Sequence, residues 1–169
     1  MREALRELEV EGLIENVPNR GPEVVRLKKS DAASIYQVRG VLEALAAKLF
    51  AVAARDEDII QLRLALNDIA NAYSCGEVGP SLSAKTRFYD ILMRGAGNSV
   101  IPSILRNMNA RINLLRCLSL ASPQRLPESL REMQAIVAAI ERRDAEGAFA
   151  ASLCHVANSA DAALSAVPD

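Results

Sequence analysis

From residue 30 onward, apolar residues recur every three or four positions, and no stretch shows the period-two alternation of a half-buried strand. Ser30 or Asp31 is placed to cap a first helix with Ile35, Val38, Leu42, Leu45, Leu49 and Val52 along one stripe. Asp56 opens a second, carrying Ile59, Leu62, Leu66, Ile69 and Tyr73 and closed by Ser74-Cys75-Gly76. Gly79-Pro80 starts a third, with Leu82, Lys85, Phe88, Tyr89 and Leu92, which stops at Gly95-Ala96-Gly97-Asn98. A fourth runs from about Val100 past Ile104, Met108, Ile112 and Leu115 to Leu118. Pro123 and Pro127 punctuate the chain before a fifth, with Leu130, Met133, Ile136, Val137 and Ile140. Arg143-Asp144 makes a tight break, and the last helix holds Phe149, Leu153, Val156, Ala160 and Leu164. Short connections favour antiparallel neighbours. The expected fold is an all-α antiparallel bundle of six to seven helices over residues 30–169.

Composition excludes several classes. Half of the 169 residues are hydrophobic and the net charge is −1, so a core can form and disorder is not expected. The near-neutral balance gives no global nucleic-acid signal, so any basic patch is local. Cys75, Cys117 and Cys154 are odd in number and lack metal-type spacing, which suits small core thiols in a reducing cytoplasm. No apolar run is long enough to cross a membrane, and no signal peptide is visible. There is one histidine, no Glu-x-x-His, no Gly-rich phosphate loop and no Ser-His-Asp grouping, so enzyme chemistry is not expected.

Residues 1–29 have another character. Ala4, Leu5, Leu8 and Leu13 form a short apolar stripe, and Gly12 stands where a helix C-cap needs positive φ. Residues 13–17 and 24–27 read as two short strands around the turn Pro18-Asn19-Arg20-Gly21. The string Arg2-Glu3-Ala4-Leu5, with Leu8, Glu9, Glu11, Gly12, Leu13 and Ile14, resembles the recognition-helix end and wing of GntR-type transcription regulators. The resemblance implies the remnant of a winged helix-turn-helix whose first helices lie outside this chain. It also implies contact with operator DNA through Arg2, Arg6 and Arg20.

The bundle resembles the FCD ligand-binding domain of the FadR subfamily of those regulators. The matching stretches are Ile35-Tyr36-Gln37-Val38-Arg39-Gly40-Val41-Leu42-Glu43, Phe88 to Leu92 leading into Ala96-Gly97-Asn98, and Ala139 to Glu146. The resemblance implies a homodimer with a small-molecule effector at the bundle centre. In most members of that subfamily a divalent metal is held by an Asp and a His one helical turn apart and by a His on each of two later helices. Here those positions carry Lys85, Tyr89, Met133 and His155, a set unsuited to a cation, so neither metal nor other cofactor is expected. The expected effector site comprises Arg39, Lys85, Tyr89, Arg111, Met133 and His155. Lys85 would supply the positive charge that the metal supplies in relatives, and the ligand would be a small organic acid or another anion. Glu43 is the clearest inward acid, and Ala148, Ser152, His155 and Ser159 form a small, polar line. Other readings stay open at this level. Lys85 can snorkel to the surface, Arg39 can simply pair with Glu43, and the core can be filled, leaving a ligand-free dimerisation module.

Overall fold

The computed structural model describes residues 3, 5, 6, 9, 14–17, 20–25, 27–122 and 124–167. Arg2, Leu8, Gly12, Leu13 and the Pro18-Asn19 pair, on which part of the N-terminal reading falls, lie outside them. Glu3, Leu5, Arg6 and Glu9 are helical. Strands β1 (Ile14–Val17) and β2 (Gly21–Val24) then pair antiparallel, with Ile14 opposite Val24 and Val17 opposite Gly21. The second strand thus begins three residues before the expected 24–27. The cause is local: Arg20 donates its N–H to the Val17 carbonyl at 3.0 Å, and Gly21 turns the chain back at a φ of 86°.

Seven helices follow among the described residues: α1 (Lys29–Ala53), α2 (Asp56–Cys75), α3 (Val78–Gly95), α4 (Val100–Arg106), α5 (Asn109–Leu120), α6 (Arg125–Glu141) and α7 (Ala145–Leu164). The expected all-α bundle is present. The expected fourth helix is two helices, broken where Met108 leaves helical geometry at φ −116° and ψ 2°. Helix α1 starts at Lys29 without a side-chain cap, so neither Ser30 nor Asp31 caps it.

The bends have identifiable chemistry. Gly97 takes a φ of 66°, and Asn98 Oδ1 then accepts from the N–H groups of Val100 and Ile101 at 2.9 and 3.2 Å. The Ala-Gly-Asn string therefore ends one helix and caps the next. At the α6–α7 turn Arg143 has a φ of 57°, and its guanidinium donates to the Ala54 carbonyl at 2.5 Å and to Asp56 at 2.7 Å. This side chain joins the α6–α7 turn to the α1–α2 corner, while Asp144 caps α7 through Gly147 N–H at 2.8 Å.

Helix α1 packs most extensively on α7, and Gly40 makes the close approach possible. A Cβ there would lie 3.3 Å from Leu153 Cδ1 and 3.6 Å from Val156 Cγ1. Ala44, Ala47 and Ala51 line the buried face of α1, whereas Val38 and Val52 of the expected stripe are exposed. A large apolar core around Phe50, Leu62, Phe88 and Ile140 fills one part of the bundle, and a smaller one around Ile35, Ile112 and Leu115 fills another. The thiols are free, but Cys75 and Cys154 are exposed rather than core residues, because both lie off the buried faces of α2 and α7.

Candidate functional site

A set of ionisable side chains is gathered among α1, α3, α5, α6 and α7. Arg39, Glu43, Lys85, Arg116, Arg125 and His155 are all buried. Their helices bring them in by ordinary spacing: Arg39 and Glu43 are one turn apart on α1, as are Lys85 and Tyr89 on α3. Lys85 is only 3% exposed, which eliminates the snorkelling alternative.

One half of the cluster is built on Glu43. Its Oε1 accepts from Arg39 Nε at 2.9 Å and from Arg116 Nη2 at 3.1 Å. Arg116 also stacks on Tyr89, with Cζ 4.4 Å from the ring centroid, and Arg39 lies 5.4 Å from the ring of Tyr36. Burial alone would raise the Glu43 pKa, but the two guanidiniums outweigh it and hold the carboxyl below its usual range. The pairing is incomplete. Arg39 Nη1 and Nη2, Arg116 Nε, Glu43 Oε2 and the Tyr89 hydroxyl are buried without a hydrogen-bond partner.

The other half is built on Glu132. Its Oε2 lies 2.7 Å from His155 Nδ1 and also accepts from Arg125, while Oε1 accepts from Asn158 at 2.6 Å. Burial would raise the Glu132 pKa, but these hydrogen bonds hold it at about 2. His155 is pushed down to about 3, first by burial and then by the charge of Lys85, against the pull of Glu132. Lys85 Nζ lies 3.4 Å from both His155 Nε2 and Ser129 Oγ, and Ser129 is 3.0 Å from the Tyr73 hydroxyl. Burial first, and then the field of Arg39 and Arg116, lower the Lys85 pKa well below its ordinary value.

Two clefts reach this cluster from outside. The larger, about 1190 Å³, opens between α3 and the α4–α5 segment, and its floor is Glu43, Tyr89 and Arg116. The smaller, about 570 Å³, lies against α6 and α7 with Arg125 and Glu132 at its base. Of the expected effector residues, Arg39, Lys85, Tyr89 and His155 come together, but only Tyr89 lines a cleft. Met133 is fully buried in the apolar core. Arg111 is half-buried on α5 and takes no part in the Glu43 pairing, which Arg116 makes instead. The break at Met108 resets the helical phase, so that Ile112, Leu115, Arg116 and Ser119 face inward. Arg125, Glu132 and Ser129 were also not anticipated, whereas the small polar line of Ala148, Ser152, His155 and Ser159 is buried throughout. At the other end, Arg6 is exposed, and exposed Arg20 faces Glu23 at 3.8 Å.

A family model described as the FCD domain matches residues 34–158. The chain belongs to the FCD-domain transcription regulators of the GntR family. It is 28% identical over 156 residues to an uncharacterised HTH-type transcriptional regulator, YdhC, of Bacillus subtilis, covering 92% of this chain and 70% of that protein. It is 31% identical over 161 residues to a probable D-xylose utilization operon transcriptional repressor of Paenarthrobacter nicotinovorans, covering 93% and 69%. Its fold matches Escherichia coli McbR/YncC with a TM-score of 0.83 at 18% identity, over 94% of this chain and 80% of that one. An FCD regulator is a transcription factor and not an enzyme.

The residues of this FCD regulator do not fit the metal of its relatives. His155 has its Nδ1 against Glu132 and its Nε2 facing the Lys85 nitrogen, and the Tyr89 ring lies against the Arg116 guanidinium. Among the described residues, no group of three His, Cys, Asp or Glu could hold a metal ion.

Proposed function

We propose that this regulator senses a small organic acid, without a metal, and controls operator DNA as a homodimer in the cytoplasm. The observation that carries the reading is the charge of the buried cluster. Arg39, Arg116 and Arg125 leave buried guanidinium nitrogens without hydrogen bonds, and among the described residues the acids that face them are the buried Glu43, the half-buried Glu132 and the exposed Glu128. Buried donors are normally satisfied, so an anion entering the larger cleft would offer an acceptor to Arg116, the one of the three that lines it. It would meet Arg116 and Tyr89 at the floor, with Arg39 contributing field from behind. Lys85, Met133 and His155 fill their own part of the centre, so the ligand would enter beside that half.

Family membership supports the rest of the reading. The described hairpin is read as the wing, and Arg2, Arg6 and Arg20 are the side chains proposed to meet DNA. The exposed Val38, Val41 and Val52 of α1 offer apolar surface to a second copy. Among the described residues, no helix is long and apolar enough to cross a membrane. The test is calorimetry of a carboxylate panel against the wild type and Arg116→Met, with mobility shift of operator DNA at fixed salt. An acid that binds the wild type, loses at least tenfold in Arg116→Met and changes DNA affinity supports the reading. Failure of every acid to bind would leave a dimerisation module with a filled core.

A further inference from the structure

The Lys85 amine is a buried nucleophile without a charge partner. Nζ lies 3.4 Å from His155 Nε2 and from Ser129 Oγ, both long contacts, and among the described residues no carboxylate pairs with it. His155 Nδ1 faces the Glu132 carboxylate at 2.7 Å and so carries the imidazole hydrogen, which leaves Nε2 as an acceptor for the amine. Burial and the charge of Arg39 favour the uncharged amine, whose lone pair is then free to react.

The surroundings of this amine lack an anion. Arg39, Arg116 and Arg125 are buried, whereas the carboxylates set against them are the buried Glu43 and the half-buried Glu132. Glu128, beside Arg125, is exposed and screened by water. Arg39 Nη1 and Nη2 have no acceptor, and Arg39 lines neither cleft, so a ligand in one of the clefts does not answer them. Buried water would satisfy these nitrogens but leave the excess positive charge in place. An acceptor made on a side chain inside the cluster supplies both. We infer that Lys85 reacts with dissolved carbon dioxide and stands in the folded protein as its carbamate. Nζ forms a bond to the carbon, and one electron pair of a C=O bond moves onto oxygen. The N–H proton passes to His155 Nε2 and leaves by Glu132, which lines the smaller cleft. Small apolar molecules enter protein interiors that exclude bulk water, and carbon dioxide is one of these. The product offsets the third guanidinium and brings acceptor oxygens toward Arg39 and toward Ser129, whose hydroxyl lies 3.0 Å from that of Tyr73. It needs no ligand in either cleft, so it stands or falls apart from the acid-binding reading.

The test equilibrates wild-type protein, labelled with nitrogen-15 at its lysine side chains, with carbon-13 bicarbonate at pH 7.5 and fixed ionic strength. The carbon spectrum should show a carbamate line split by its bond to nitrogen-15. Lys85→Met should lose that line and Lys48→Met should keep it, since exposed lysines stay protonated well below their ordinary pKa of about 10.4. The unlabelled α-amine gives no split line. Urea unfolding should show the linkage: once carbon dioxide exceeds its dissociation constant, each tenfold rise should shift the wild-type folding equilibrium about tenfold, with no shift in Lys85→Met. Absence of a split line from the wild type would overturn the inference. So would an unsplit line, which would mean bicarbonate held as a free ion, or a split line that survives in Lys85→Met. Trapping the carbamate as its ethyl ester and fragmenting the peptide around Lys85 assigns the site even if Lys85→Met does not fold. An ester found on another lysine instead would overturn it as well.

Discussion

Lys85 and His155 give the centre of the bundle an unusual pH response. The Lys85 amine is sealed against Ser129 and His155, and burial with the charges of Arg39 and Arg116 disfavours its ammonium form. In the unfolded chain the same amine holds a proton up to its ordinary pKa. The unfolded state therefore binds more protons, and the cost of burying Lys85 grows as pH falls below about 10.4. Lys85→Met keeps most of the stem and removes the titration, so it should be at least as stable as the wild type at pH 7. That advantage should shrink as pH rises toward 10, which urea unfolding at pH 7, 8.5 and 10 would show. A pH-independent difference would mean that the native amine keeps its proton. His155 works in the same direction lower on the scale. With a folded pKa of about 3 it stays neutral where the unfolded imidazole protonates, so stability falls as pH drops from about 6.5 toward 3. Glu132, held at about 2, adds a loss that starts near pH 4.5 and continues downward. The His155 contribution has a slope of about 1.4 kcal/mol per pH unit. His155→Gln should flatten the stability profile between pH 6 and 5, and an unchanged slope there would remove His155 as its source.

At the scale of helices, α1 and α3 meet tightly where Phe50 lies against Gly95. A Cβ on Gly95 would stand 2.2 Å from Cε2 of the fully buried Phe50. Gly95→Ala should therefore cost about 1–3 kcal/mol through overpacking, and Phe50→Leu in the same chain should recover part of that loss. Gly79→Ala is the control, since no atom lies within 4 Å of its Cβ position. It should be neutral or stabilising by about 0.4–1 kcal/mol. Chemical denaturation of the three variants would check both, and equal effects at Gly95 and Gly79 would contradict the packing argument. The same packing explains which parts of the structure were legible beforehand. Helix identity came through because periodicity survives without knowledge of neighbours. The buried face of α1 did not, because Val and Leu outweigh Ala on any hydrophobicity count, yet the small Ala44 and Ala47 beside Gly40 face inward. Lys85, Tyr89, Arg39 and Glu43 were readable as one site because each stands one turn from a partner on a helix of known phase. Arg116 was missed because its phase depends on the break at Met108, a feature of tertiary packing with no Gly or Pro to announce it.

At the scale of the whole molecule, α1 connects the parts. Its first turn follows the β1–β2 hairpin, and its middle carries Arg39 and Glu43. An acid held at the floor of the larger cleft would thus bear on the helix that leads to the end proposed to contact DNA. If acid and DNA bias the same rearrangement of α1, their coupling is a single free energy and must be reciprocal. The factor by which a saturating acid changes affinity for an operator fragment, selected in vitro with this protein, should equal the factor by which that DNA changes affinity for the acid. Both legs can be measured by calorimetry and fluorescence anisotropy at one salt concentration, since salt alone moves DNA affinity by orders of magnitude. A factor of about 5–150 is usual for such coupling, and Arg116→Met should bring it close to one while leaving acid-free DNA binding within about threefold of wild type. Unequal factors would mean that acid and DNA compete at one surface or change the oligomeric state. A factor of one in the wild type would separate acid binding in the bundle from control of DNA.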